Sequence, residues 1–274
     1  MKTLAICNHK GGTGKTTTAI HIAAALGLSG HRTLVVDLDP QSFLTRMLGV
    51  ADPEESASSL MLFEQRSLKD IPTIDMKGFK LLPSSLALTR AMRRLNKPTD
   101  VFWLKEGLDG AEAYDFVLFD TAAAVTVFSL NALVASDHVL IPVTPEYQPV
   151  LGAEQTFQTV KLVQDKLNPA LAPPLFLFTQ VDARKRTHHQ YRAYFRKTYG
   201  EAVMRSVIRT SASLSSSLRD GSTTFDTDPY SRGARDYANA TDELLRSIAP
   251  SEPLADATGD GTSASVSDYV VGGM

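Results

Sequence analysis

The chain has 274 residues, of which 43% are hydrophobic and 21% charged, and its 28 bases and 30 acids leave a net charge of −2. This is an ordinary globular composition, long enough for one sizeable core. No run approaches the roughly 18 apolar residues of a membrane-spanning helix. The single cysteine, Cys7, excludes an internal disulfide and points to a reducing cytosol.

In chain order, short apolar runs alternate with amphipathic stretches, which predicts β-α-β units around a mostly parallel sheet, an α/β fold with helices on both faces. The strands are expected at Lys2–Asn8, Thr33–Asp37, Phe79–Leu82, Phe116–Asp120, His138–Pro142 and Leu175–Thr179. Their unbroken apolar character suits strands covered from both sides. Helices are expected at Lys15–Leu28, Gly152–Leu167, Thr187–Tyr199 and Gly233–Ile248. Residues 51 to about 110 give no clear period beyond one strand. From Pro250 the chain is rich in Ser, Thr, Ala, Gly and Asp. It carries four acids (Glu252, Asp256, Asp260, Asp268) and no Lys or Arg, so residues 1–249 are expected to form the domain and 250–274 a disordered acidic tail. Without that tail, 28 bases face 26 acids.

The strongest chemical signal follows the first strand: His9-Lys10-Gly11-Gly12-Thr13-Gly14-Lys15-Thr16-Thr17, then a helix-forming run. A strand, a glycine-rich turn and a helix N-terminus make a phosphate loop. Gly11, Gly12 and Gly14 permit backbone conformations closed to other residues, so N–H groups from Gly11 through Thr17, Thr13 included, can converge on phosphate oxygens. The positive end of the helix adds attraction. Lys15 is expected to reach the β- and γ-phosphates, and the Thr16 hydroxyl to ligate Mg²⁺. Two acidic strand ends fit the same chemistry, Val35-Val36-Asp37-Leu38-Asp39-Pro40-Gln41 and Phe116-Val117-Leu118-Phe119-Asp120.

The usual phosphate-loop pattern would place a glycine at His9, and an extra lysine, Lys10, precedes Gly11-Gly12. In this the sequence resembles the deviant Walker A family that includes ParA and MinD. The resemblance runs from about residue 2 to 249 and takes in Leu130 to Asp137, Val139 to Val143 and Asp228 to Ala234. It implies an ATPase that uses ATP and Mg²⁺ and closes as a sandwich homodimer, Lys10 reaching the partner subunit's nucleotide. It also implies that Asp39 orients the attacking water, that Asp37 sits near the Mg²⁺ shell, and that Asp120 holds the ion through water. The base pocket falls at Thr179, Gln180 and Arg209, with Arg209 standing where the family has proline. Switch II, usually D-x-P-P, reads Asp120-Thr121-Ala122-Ala123, and the loss of both prolines adds chain freedom.

From Arg184 to Arg209 eight bases face one acid, Glu201. Lys185, His189, Arg192 and Arg196 would form one helical stripe, with Tyr191, Tyr194, Phe195 and Tyr199 facing the core. The family binds DNA non-specifically as its ATP dimer, which implies DNA contacts at Arg184, Lys185, Arg186, Arg192, Arg196 and Lys197. The match is to the short ParA form without an N-terminal helix-turn-helix. The resemblance further implies a ParB-like or cargo-adaptor partner and a cytoplasmic, nucleoid-associated location, without membrane binding, since anionic lipid would repel the acidic tail. The other readings are a non-hydrolysing nucleotide-dependent scaffold, a MinD-like positioning ATPase and an ATP-dependent synthetase.

Overall fold

A computed structural model describes residues 1–218 and 221–249; the tail expected at 250–274 lies outside them. The strands are β1 (Lys2–Ile6), β2 (Thr33–Asp37), β3 (Ile74–Asp75), β4 (Lys80–Leu82), β5 (Phe116–Asp120), β6 (His138–Val143), β7 (Leu175–Val181) and β8 (Val203–Arg209). They form one eight-stranded sheet in the order β3-β4-β2-β5-β1-β6-β7-β8. Every pairing is parallel except that of β3 with β4. The helices are α1 (Lys15–Leu28), α2 (Phe43–Met47), α3 (Leu88–Arg94), α4 (Trp103–Gly107), α5 (Val127–Val134), α6 (Tyr147–Lys166), α7 (Arg186–Tyr199), α8 (Ala212–Ser217), α9 (Thr224–Thr227) and α10 (Arg232–Ile248). Between β2 and β5 the chain also makes short 3₁₀ turns, which have no 3.6-residue period to read.

Two apolar clusters sandwich the sheet. One gathers Ile20, Ile22, Leu26, Leu118, Leu140, Tyr237 and Leu244, the other Val117, Phe119, Phe128, Ile141, Phe176, Phe178 and Phe195. Strands β2 and β5 are buried along their whole length, as parallel strands between two helical layers must be. β1 is central, between β5 and β6, so the loop that follows it opens at the carboxyl edge where the strand order reverses.

The differences from the sequence reading have local causes. β1 ends at Ile6, although the Cys7 N–H still reaches the Leu140 carbonyl of β6 at 3.1 Å; at Asn8 the side chain takes over the contact with β6, bonding the Pro142 carbonyl. Helix α6 starts five residues before the expected Gly152. Pro149 lies in its first turn, where a missing N–H has no intrahelical partner to lose. β8 was not expected: as the sheet's last strand it is exposed at Arg205 and Arg209 and only half-buried at Ser206 and Val207, so it lacks an apolar run. In α7 the core stripe is His188, Tyr191, Phe195 and Tyr199. Phe195 is fully buried, with its ring 5.1 Å from Phe176 and 5.3 Å from Phe178. Tyr194, expected inside, sits one residue off that stripe, is exposed and donates its hydroxyl to Glu154 at 2.7 Å.

Candidate phosphate, metal and base site

The loop after β1 is held from three sides. Asn8 donates to the Pro142 carbonyl at 2.8 Å and accepts from the Lys10 N–H at 2.9 Å. The His9 N–H binds Thr156 Oγ1 at 2.9 Å. Helix α6 crosses so closely that a Cβ on Gly152 would lie 2.8 Å from Lys10 Cβ and 2.9 Å from Asn8 Oδ1. From the end of β7, Thr179 Oγ1 donates to the Thr13 carbonyl at 2.8 Å and Gln180 Nε2 to the Gly12 carbonyl at 2.6 Å. Gly12 and Gly14 have φ of 75° and 80°, the left-handed region that glycine enters freely.

The loop carbonyls are thus turned to protein donors. The N–H groups from Gly11 to Thr16 take no protein acceptor among the described residues, and α1 begins without a side-chain cap. A helix N-terminus with open donors is an anion site. Lys15 is buried, and its Nζ donates to the Lys10 carbonyl at 3.1 Å. Burial pushes the Lys15 ammonium down, and the charges of Asp120, Cys7 and Asp39 oppose it. The Lys10 side chain is exposed on the loop and makes no hydrogen bond or ion pair among the described residues.

The two acidic strand ends are register partners, Asp37 on β2 facing Asp120 on β5. Asp120 is buried; its Oδ2 accepts from Thr16 Oγ1 at 2.8 Å, while Oδ1 is buried without a partner among the described residues. Burial and then the Asp37 charge push its carboxyl well up. An orphaned carboxylate oxygen beside a hydroxyl fits a hard cation that takes oxygen ligands. Asp37 differs: Oδ1 accepts the Asp39 N–H at 3.0 Å, and Oδ2 accepts the Thr45 N–H at 3.0 Å and Oγ1 at 2.7 Å. Burial pushes it up to about 6. Asp37 therefore anchors the segment that carries Asp39. Ser84 Oγ adds a bond to the Asp39 carbonyl at 2.7 Å, and the half-buried Asp39 carboxylate accepts the Gln41 N–H at 2.9 Å. Ser42, at φ 55° and with a buried hydroxyl that has no partner among the described residues, closes that turn.

After Asp120 the chain lacks proline but is pinned at both ends. Thr121 Oγ1 donates to the Ile6 carbonyl at 3.0 Å, and Ser129 Oγ donates to the Ala124 carbonyl at 3.1 Å. Between these pins Ala123, Ala124 and Val125 are exposed.

Beside the loop lies a cavity of about 410 Å³ whose walls include Gly14, Thr17, Thr179, Gln180, Arg209 and Tyr237. The expected base residues thus share one wall with the phosphate loop. The sequence reading missed Asp236 on α10, which binds Arg209 at 2.5–3.2 Å; no spacing links residues 27 apart. It also missed His21. Its Nδ1 donates to the Thr17 carbonyl at 2.8 Å, its Nε2 accepts the Thr224 N–H at 3.3 Å, and its ring stacks on Tyr237.

The basic residues divide. Arg186 and Lys197 are exposed. Lys185, immediately before α7, lies 3.7 Å from Glu146, and Arg184 pairs with Asp182 at 2.9 Å. Arg192 and Arg196 border the core, and Arg196 donates to the Met204 carbonyl at 3.3 Å. The stripe is therefore narrower than expected, because two of its arginines lie against the protein. Among the described residues no helix is long and apolar enough to cross a membrane.

Residues 1–173 match the family described as AAA domain. The Bacillus subtilis "Sporulation initiation inhibitor protein Soj" is 34% identical over 248 residues, covering 89% of this chain and 98% of its own length. The Myxococcus xanthus "Chromosome partitioning protein ParA" is 33% identical over 259 residues, covering 91% of this chain and 90% of its own. Among solved structures, cobyrinic acid a,c-diamide synthase from Mycobacterium smegmatis with bound ADP and magnesium superposes with a TM-score of 0.76 at 28% identity. That match covers 94% of this chain and 100% of the other.

Proposed function

The chain belongs to the AAA domain family and, within it, to the Soj and ParA partition ATPases, and from that premise we propose that it cycles between an ATP-bound sandwich dimer, retained on DNA, and a released form. The observation that carries the proposal is the pairing of a cradle of open N–H groups with the unpartnered Asp120 oxygen beside Thr16. The M. smegmatis structure, which holds ADP and magnesium, supports the same ligands here. Its synthase name belongs to that protein, and the higher identities to Soj and ParA favour positioning over synthesis.

Gly11 to Thr17 bind the phosphates, Lys15 leaves the Lys10 carbonyl for the β- and γ-oxygens, and Thr16 and Asp120 hold Mg²⁺. The ion supplies positive charge against the phosphate oxygens. Asp39, steadied by Asp37 and Ser84, orients the water. Lys10 enters the partner subunit's site and neutralises charge that develops on the transferred group. The exposed bases Lys185, Arg186 and Lys197 contact phosphate backbone, with Arg184 beside them. Two copies of that face in a dimer raise avidity. Cargo and the stimulating adaptor act on this cycle in the cytoplasm, at the nucleoid.

Filter retention of DNA across a salt series tests the reading. Wild type is expected to hold DNA with ATP and not with ADP, with a retention constant falling by at least tenfold between 50 and 200 mM salt, about what a few phosphate contacts give. Asp39→Ala is expected to remain bound after wild type has released. Nucleotide-independent or salt-insensitive retention would contradict it.

A further inference from the structure

The cavity beside the phosphate loop has one wall whose chemistry the phosphate site does not explain. Arg209 ends the edge strand β8, and its side chain is 44% exposed, whereas the Asp236 carboxylate that grips it is 5% exposed. The grip is made along the edge of the guanidinium. Nε lies 3.2 Å from Oδ1 and 3.0 Å from Oδ2, Nη2 lies 2.5 Å from Oδ1, and the Arg209 N–H binds Oδ2 at 2.9 Å. A carboxylate that takes both the main-chain and side-chain N–H groups of one arginine fixes the plane of the cation and leaves its faces free. The surrounding walls mix apolar Ile208, Leu214 and the Tyr237 ring with polar groups of Thr179, Gln180 and Ser211, and none of them but Arg209 carries a charge. Gly14 and Thr17 tie the space directly to the phosphate loop.

We propose that Arg209 is the stacking platform for the nucleotide base, that Asp236 is the residue positioning it, and that together they make this chain select purine over pyrimidine nucleotides. The proposal rests on the nucleotide reading above. A guanidinium face attracts any π-system, and a purine offers more overlap than a pyrimidine. The platform contributes nothing to the phosphates, so its effect separates from theirs.

Calorimetric titration of the full chain, in magnesium, with ATP, GTP, CTP and inorganic tripolyphosphate is the test. Wild type is expected to bind ATP and GTP several-fold more tightly than CTP. Arg209→Ala is expected to weaken ATP and GTP about tenfold while changing tripolyphosphate less than twofold, and so to erase the preference over CTP. Arg209→Lys does not restore it, because an ammonium has no plane to stack. Asp236→Asn, which keeps the shape but loses the charge, reproduces a smaller loss confined to the nucleotides. A thermal melt of each variant identifies any that fails to fold, and the two conservative variants then carry the comparison. Equal losses for ATP and tripolyphosphate, or none for either, would overturn the platform. If tripolyphosphate and ATP both fail to bind wild type, the underlying nucleotide reading falls with it.

Discussion

Burial makes His21 an uncharged link between the phosphate-loop helix and the segment around Thr224. With Nδ1 donating to Thr17 and Nε2 accepting from Thr224, the ring has no place for a second proton. Burial pushes its pKa down to about 4, against smaller opposing effects of the Thr17 bond and Asp226. A folded value below the unfolded one means that the unfolded chain takes up the proton first. His21 therefore costs nothing above about pH 6.5, and stability falls as pH drops from there to about 4, by on the order of 3 kcal/mol in total. Asp37 is pushed up to about 6, so it acts in the opposite sense over most of that window. The contribution of His21 is isolated by comparing urea melts of wild type and His21→Leu at pH 7.5 and 4.5. The variant is expected to lose less stability on acidification than wild type. An equal loss would mean that the ring is protonated in the fold.

Among the elements, α6 governs the phosphate loop. In an ordinary helix interior, glycine to alanine gains about 1 kcal/mol. At Gly152 the added Cβ would press on Lys10 Cβ and Asn8 Oδ1, both under 3 Å away. Asn8 is tied to Pro142 and Lys10, so neither neighbour can move freely. The clash outweighs the propensity. Gly152→Ala is expected to lose about 1–3 kcal/mol and to weaken ATP binding, read by thermal melting and titration; a more stable variant with normal affinity would refute the close packing. Elements also show what the sequence could disclose. β1, β2 and β5 were legible because strands buried on both faces must be apolar throughout, and the strand-to-helix turn was legible because the left-handed backbone at Gly12 and Gly14 favours glycine. β8 was hidden by its edge position, and the start of α6 by Pro149. The Arg209–Asp236 pair was hidden because only the packing of α10 on β8 brings the two together.

At the scale of the whole molecule, the sheet order places the phosphate loop, Asp37 and Asp120 on three neighbouring strands. The cavity and α10 lie to one side, and Lys10 is exposed on the loop. In the proposed dimer the exposed Lys10 serves the partner subunit's site rather than its own. The most direct test mixes two variants, Lys10→Ala, which keeps its own phosphate site, and Lys15→Ala, which loses that site but keeps Lys10. Each alone is expected to be inactive in ATP hydrolysis. An equimolar mixture is expected to recover about a quarter of the wild-type rate, since half the dimers are mixed and each holds one competent site. A mixture as inactive as its components would contradict the claim that Lys10 serves the partner subunit.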